Sequence, residues 1–150
     1  MKIEVALCLP RDAKTVALVR RVTFSALSEL GVTTECLEQI RLALSEACSN
    51  VIEHSQAGDE YEVRLEVEDD LCQITVIDTG GGFDASALSS ELPSPDSVRG
   101  RGVALMHALM DKIAFTSEPT SGTVVHLTKV LDLDPDGALR RLLSGPADVS

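Results

Sequence analysis

The apolar residues change their spacing four times along this chain, and the order of those changes leaves few folds open. Ile3, Val5, Leu7 and Leu9 alternate with Lys2, Glu4, Ala6 and Cys8, which predicts a strand stopped by Pro10. Helical spacing follows. Val16, Val19, Val22, Phe24, Leu27 and Leu30 fill one side of a helix that Asp12 can cap and Gly31 ends. A second helix is predicted from Thr33 or Thr34 to about His54, with Leu37, Ile40, Leu44, Ala47 and Val51 in one buried stripe. After a turn at Gln56-Ala57-Gly58-Asp59, Tyr61, Val63, Leu65 and Val67 alternate with Glu62, Arg64, Glu66 and Glu68, a strand with one face in water. Asp69-Asp70 turns it into a second strand, Leu71 to Asp78. Ala85 to Ser97, with two prolines and several serines, reads as a mobile loop. A helix from about Gly102 to Asp111 comes next, then strands Ile113 to Thr116 and Thr123 to Leu131 joined through Pro119-Thr120-Ser121-Gly122.

Strands and helices therefore come in blocks, not in strict alternation. That predicts an α+β fold: a two-layer sandwich whose mixed sheet is covered on one face by helices. At 150 residues the chain is read as one domain, residues 1–131, followed by an acidic tail, 132–150, with a short helix at Ala138 to Leu143. Only 3% of residues are aromatic, so Leu, Val, Ile and Ala must build the core.

The formal net charge of −11 argues against direct contact with nucleic acid, which demands a basic surface. An acidic surface suits a basic protein partner, although solubility is its commoner meaning. Cys8, Cys36, Cys48 and Cys72 show no Cys-x-x-Cys pair and no histidine at ligand spacing, so free thiols in a reducing compartment are expected. Met1-Lys2-Ile3-Glu4 lacks the apolar core of a signal peptide, and no apolar run is long enough for a bilayer. The expectation is a cytoplasmic protein without membrane contact.

Three stretches carry chemistry. Glu46, Asn50 and His54 follow the i, i+4, i+8 rule and line one strip of the second helix beside its apolar stripe. Asn50 offers a neutral oxygen for Mg²⁺, and a carboxylate one turn earlier can take a proton from a hydroxyl attacking a γ-phosphate. His54 can touch phosphate, or simply sit solvated at the helix end. Asp78 continues the inward face of Cys72, Ile74 and Val76, where a lone carboxylate is costly and a purine amine is a natural partner. It is equally readable as capping its own glycine turn. Gly80-Gly81-Gly82 then permits backbone torsions closed to other residues, so that a flat ring can approach. Gly100 and Gly102 stand where a loop enters a helix, flanked by Arg99 and Arg101, a local reversal of charge that suits phosphate. The pattern is neither a Rossmann fingerprint nor a P-loop.

In this order the three stretches resemble the nucleotide-binding boxes of the GHKL ATPase superfamily, to which gyrase and the histidine kinases belong. Glu46-x-x-x-Asn50 resembles its N box, Asp78-x-Gly80-x-Gly82-Phe83 its first glycine box, and Arg99-Gly100-Arg101-Gly102 its second. Gly122-Thr123 resembles the last box. The small size, with Ser45-Glu46-Ala47 and Leu109-Met110-Asp111, is similar to the bacterial anti-sigma factor serine kinases. Arg101 departs from the pattern, which commonly has a small or apolar residue there.

The resemblance covers about residues 3 to 130 and implies the Bergerat (histidine-kinase-like ATPase) type of sandwich. It implies ATP and Mg²⁺, with Glu46 as catalytic base and Asn50 as metal ligand. Nucleotide contacts would come from Asn50, His54, Asp78, Gly80, Gly82, Phe83, Arg99, Gly100, Arg101, Gly102, Val103 and Thr123, with Ala85 to Arg99 as a lid. It implies a homodimer that binds a sigma factor and phosphorylates a STAS-domain anti-anti-sigma protein, with Arg20 or Arg21 in partner contact. Two alternatives stand beside it: a switch kinase with a STAS partner and no sigma factor, and a nucleotide-binding module without catalysis.

Overall fold

The computed structural model describes residues 1–54, 60–78, 98–118 and 122–144, with the backbone alone at 53–54, 98–103, 117–118, 122–123 and 144. Among these residues the elements run β1 (Lys2–Pro10), α1 (Lys14–Glu29), α2 (Thr34–His54), β2 (Glu60–Glu68), β3 (Leu71–Asp78), α3 (Val98–Leu109), β4 (Lys112–Glu118), β5 (Gly122–Val130) and α4 (Ala138–Ser144). The strands form one sheet in the order β1-β2-β3-β5-β4.

Every pairing in that sheet is antiparallel, so the expectation of a mixed sheet is corrected. The reason lies in the number of helices between strands. Two helices separate β1 from β2, so the chain returns running against its first strand. β3 and β4, with α3 between them among the described residues, point the same way. β5, however, is inserted between them, and no parallel neighbours result.

Period-two alternation holds along the strands. Leu9, Tyr61, Val63, Leu65, Val67, Cys72, Ile74, Val76, Val125 and Leu127 are buried on the face toward the helices. Glu4, Arg64, Glu68, Gln73 and His126 stand exposed on the other. Each buried aliphatic side chain contributes about 1.5–3 kcal/mol, so this single apolar layer is the main source of stability. α2 lies at its centre, packed against α1, α3, β3 and β5. Ile40, Ala43, Leu44, Ala47, Cys48 and Val51 of α2 are all but inaccessible.

α1 is held at both ends as its sequence suggests. Asp12 Oδ1 accepts from Lys14 N at 2.9 Å ahead of the first turn. At the far end Gly31 (φ +86°) lets Val32 N reach Leu27 O at 3.2 Å and Gly31 N reach Ser28 O at 3.0 Å, the double bond pattern of a Schellman motif. The inward face differs by one position from the reading above. Thr23 is buried and Phe24 is 40% exposed, because Val19, Thr23 and Leu27 lie on one line at i, i+4 spacing and Phe24 falls beside it.

The chain after Asp132 does not trail away. Leu131, Leu133 and Leu139 are buried, Leu133 bridges to Val32, and Asp134 N and Leu139 N donate to Gly31 O and Leu30 O at 2.7 and 2.9 Å. Residues 132–144 thus seal the α1–α2 turn. A Cβ on Gly31 would stand 2.6 Å from the Gly137 Cα, so the two backbones touch where neither can carry a side chain.

Candidate functional site

Strand register and one long side chain bring the predicted groups to one end of the sandwich. Leu9 pairs with Tyr61, and Tyr61 pairs with Asp78, so the last residues of β1 and β3 lie level at one end of the sheet. Arg11, just beyond β1, donates from Nη2 to Val51 O at 3.2 Å and Ile52 O at 2.8 Å. The C-terminal turn of α2, with Asn50 at its base, therefore sits over the sheet end that holds Asp78. α3, whose first turns contain Arg99 to Gly102, packs along α2.

Asp78 is fully buried on the helix-facing side, as its place in the alternation requires. A carboxylate there acts through directed hydrogen bonds, since bulk water is excluded. Beside it, the Tyr61 ring is fully buried, and its hydroxyl meets Thr15 Oγ1 at 2.5 Å. Burial pushes the Tyr61 phenol up from its ordinary value. Asn50 is 3% exposed, and its Nδ2 has no hydrogen-bond partner among the described residues. A buried amide end without such a partner is uncommon. Glu46, one turn earlier on the same strip, is half-buried, open enough to meet a substrate hydroxyl.

The remaining predicted residues divide by what the structure describes. His54 is the last residue of α2 and Thr123 lies in β5 opposite Ser117. Gly80, Gly82, Phe83 and most of the expected lid, 85–97, lie outside the described residues. Arg99, Gly100, Arg101, Gly102 and Val103 are inside α3, which begins at Val98, four residues before the expected start. The glycines therefore occupy the first turns of the helix, where an expected loop has been drawn in. Glycine costs only about 1 kcal/mol in a helix interior, and packing of Met106 and Met110 outweighs it. Arg20 and Arg21 lie on α1 and, with Ala17, Phe24, Ser25 and Arg41, line a groove of about 310 Å³.

Sequence reasoning missed Arg11 and Tyr61. A lone arginine after a proline and a tyrosine in a strand carry no motif. Only the register and the 40-residue reach across the fold reveal what they touch.

Comparison with known proteins gives the family and the fold. Residues 9–129 match the histidine kinase-like ATPase domain family. The serine-protein kinase RsbW of Halalkalibacterium halodurans is 30% identical over 139 residues, covering 87% of this chain and 85% of the relative. That of Bacillus velezensis is 32% identical over 135 residues, covering 83% of each, and that of Bacillus subtilis is 30% identical over 135 residues, again covering 83% of each. Among solved structures, one of the RsbU and RsbW domains of a Mycobacterium tuberculosis protein superposes with a TM-score of 0.67 at 22% identity, over 86% of this chain and 32% of that one. The histidine kinase domain of a blue-light activated kinase from Erythrobacter litoralis gives 0.51 at 18% identity, over 82% of this chain and 62% of that one. These two establish the fold, a Bergerat-type sandwich. The chain belongs to the histidine kinase-like ATPase domain family, as a serine-protein kinase of the RsbW kind. Among the described residues no helix is long and apolar enough to cross a membrane.

Proposed function

We propose that the protein is an anti-sigma kinase of the cytoplasm: a homodimer that holds a sigma factor and, with ATP and Mg²⁺, phosphorylates a serine or threonine of a STAS-domain antagonist. The observation that carries the catalytic half is the pair Glu46 and Asn50, one turn apart on α2, with Glu46 half-buried and the Asn50 side chain buried. The donor set suits magnesium, which keeps several waters and takes few protein ligands. Bound there, it supplies neutralisation of phosphate charge. Asn50 presents its carboxamide oxygen to that site, and Asp78 accepts from the adenine amine. Glu46 takes the proton as the substrate hydroxyl oxygen bonds to the γ-phosphorus and the bond to the ADP oxygen breaks. Little else is demanded of the protein than positioning.

Arg20 and Arg21, with Arg41 (itself paired with Glu38 at 2.6 Å), surround the half-exposed Phe24 in a groove of a chain of net charge −11. That local contrast supports Arg20 and Arg21 as contacts for an acidic protein partner.

Incubation of the purified protein with labelled ATP and a STAS-domain protein from the same cell tests the kinase directly. Label is expected on a serine or threonine of the STAS protein, and far less of it with Glu46→Gln. Capture of sigma factors on the immobilised protein tests the other half. Phosphorylation without sigma-factor capture would identify a switch kinase acting on a STAS partner alone.

A further inference from the structure

Arg11 has no part in the chemistry above, yet its guanidinium reaches across the fold. It stands one residue beyond β1 and binds α2 40 and 41 residues along the chain, at Val51 O and Ile52 O. α2 ends at His54, so the carbonyls of residues 51–54 are the four that lack an intrahelical donor. Arg11 meets two of these four and sets a cation against the negative end of a 21-residue helix.

Asn50 directly precedes Val51. The aim of its buried side chain depends on where the backbone beneath it is held. Helix ends fray, and Asn50 lies within five residues of this one. The same junction is fastened a second time: Thr15 Oγ1 meets the hydroxyl of Tyr61, whose cross-strand partner is Asp78. Thr15 Oγ1 also lies 2.7 Å from Asp12 O, so the hydroxyls can form a chain, Tyr61 donating to Thr15 and Thr15 to the Asp12 carbonyl. One short junction, Pro10 to Thr15, is thus bonded both to the turn under Asn50 and to the strand beside Asp78.

We infer that Arg11 is a positioning residue of the nucleotide site: its guanidinium clamps the last turn of α2 and so holds the Asn50 amide in register with Asp78. This rests on the reading of Asn50 as the magnesium ligand. An outer residue that orients a metal ligand commonly controls affinity by about 10–100-fold.

The test is equilibrium binding of a fluorescent, non-hydrolysable ATP analogue across a magnesium titration, with amide hydrogen exchange of residues 47–54 in the nucleotide-free protein. Arg11→Met keeps the apolar stem and donates nothing. It is expected to raise the half-saturating magnesium concentration about tenfold, leave binding in EDTA unchanged, and speed exchange over 47–54. Arg11→Lys, which keeps the charge and can reach one carbonyl, is expected to restore part of both. Asn50→Ala is the control for the reading beneath. A raised magnesium requirement in Asn50→Ala with a wild-type one in Arg11→Met overturns the inference. An unchanged requirement in Asn50→Ala overturns the magnesium reading, and the inference with it. Should Arg11→Met not fold, Arg11→Gln decides by the same two readouts.

Discussion

Tyr61 and Asp78 are direct partners across β2 and β3, and both side chains are fully withdrawn from solvent on the helix side of the sheet. The tyrosine's polar end is taken by Thr15, so its ring forms a fixed wall beside the carboxylate. A buried acid next to a rigid aromatic face is suited to reading one edge of a flat base.

Asp78→Asn is expected to weaken ATP binding by about 1–3 kcal/mol, the cost of spoiling a buried hydrogen bond to a charged group. Guanine nucleotides are expected to bind poorly to the unaltered protein, because their exocyclic oxygen offers the carboxylate no donor. Titration calorimetry with ATP and GTP measures both, and equal curves for the two nucleotides rule out adenine reading by Asp78.

Glu46→Gln preserves shape and removes the basic oxygen. Phosphoryl transfer is expected to fall by about 10²–10⁴-fold, the usual worth of a general base, while ATP affinity stays near the original. Asn50→Ala is expected to lose magnesium-dependent binding and activity together. Single-turnover phosphorylation alongside nucleotide binding separates the two, and normal transfer by Glu46→Gln would mean another group takes the proton.

Gly31→Ala is expected to destabilise the fold by at least about 1–3 kcal/mol, since the residue has a left-handed φ. The added Cβ would also press on the Gly137 backbone at 2.6 Å, which has no flexible side chain to yield. The midpoint of urea unfolding reads the effect. Because the contact pins residues 132–144 to the α1–α2 turn, faster hydrogen exchange in that segment is expected too.

The thiols give a pH test. Burial pushes Cys48 and Cys72 up to about 12 from 9.0, so both stay protonated in the fold far into alkali. The unfolded chain releases those protons near pH 9, so between pH 9 and about 12 it binds fewer protons than the native state. Stability is therefore complete below pH 9 and falls as pH rises through that window. At pH 8 a thiol reagent is expected to modify the exposed Cys8 rapidly and the three buried cysteines only on unfolding. Rapid modification of more than one thiol in the native protein would contradict this burial.

What the order of residues determined by itself was the set of elements and the chemistry on α2 and β3. Alternation placed Tyr61, Val63, Leu65 and Asp78 on the inner face, and i, i+4 spacing put Glu46 and Asn50 on one strip, because both patterns are local geometry written into single elements. The family was legible for the same reason, since its boxes are short and contiguous. The antiparallel sheet was not legible, because strand direction depends on how many helices intervene and which strand is inserted last. Nor was the docking of residues 132–144, whose leucines are scattered among acidic residues and whose backbone meets Leu30, Gly31 and Val32 far back in the chain. The start of α3 moved for a related reason: packing of Met106 outweighed the weak local signal of two glycines. Arg11 on Val51 and Ile52, and Tyr61 on Thr15, span 40 to 46 residues, and no local rule can supply contacts of that range. Tertiary structure alone decided them, because the orphan carbonyls of a helix end and the hydroxyl of a buried ring must be satisfied by whatever the fold brings within reach.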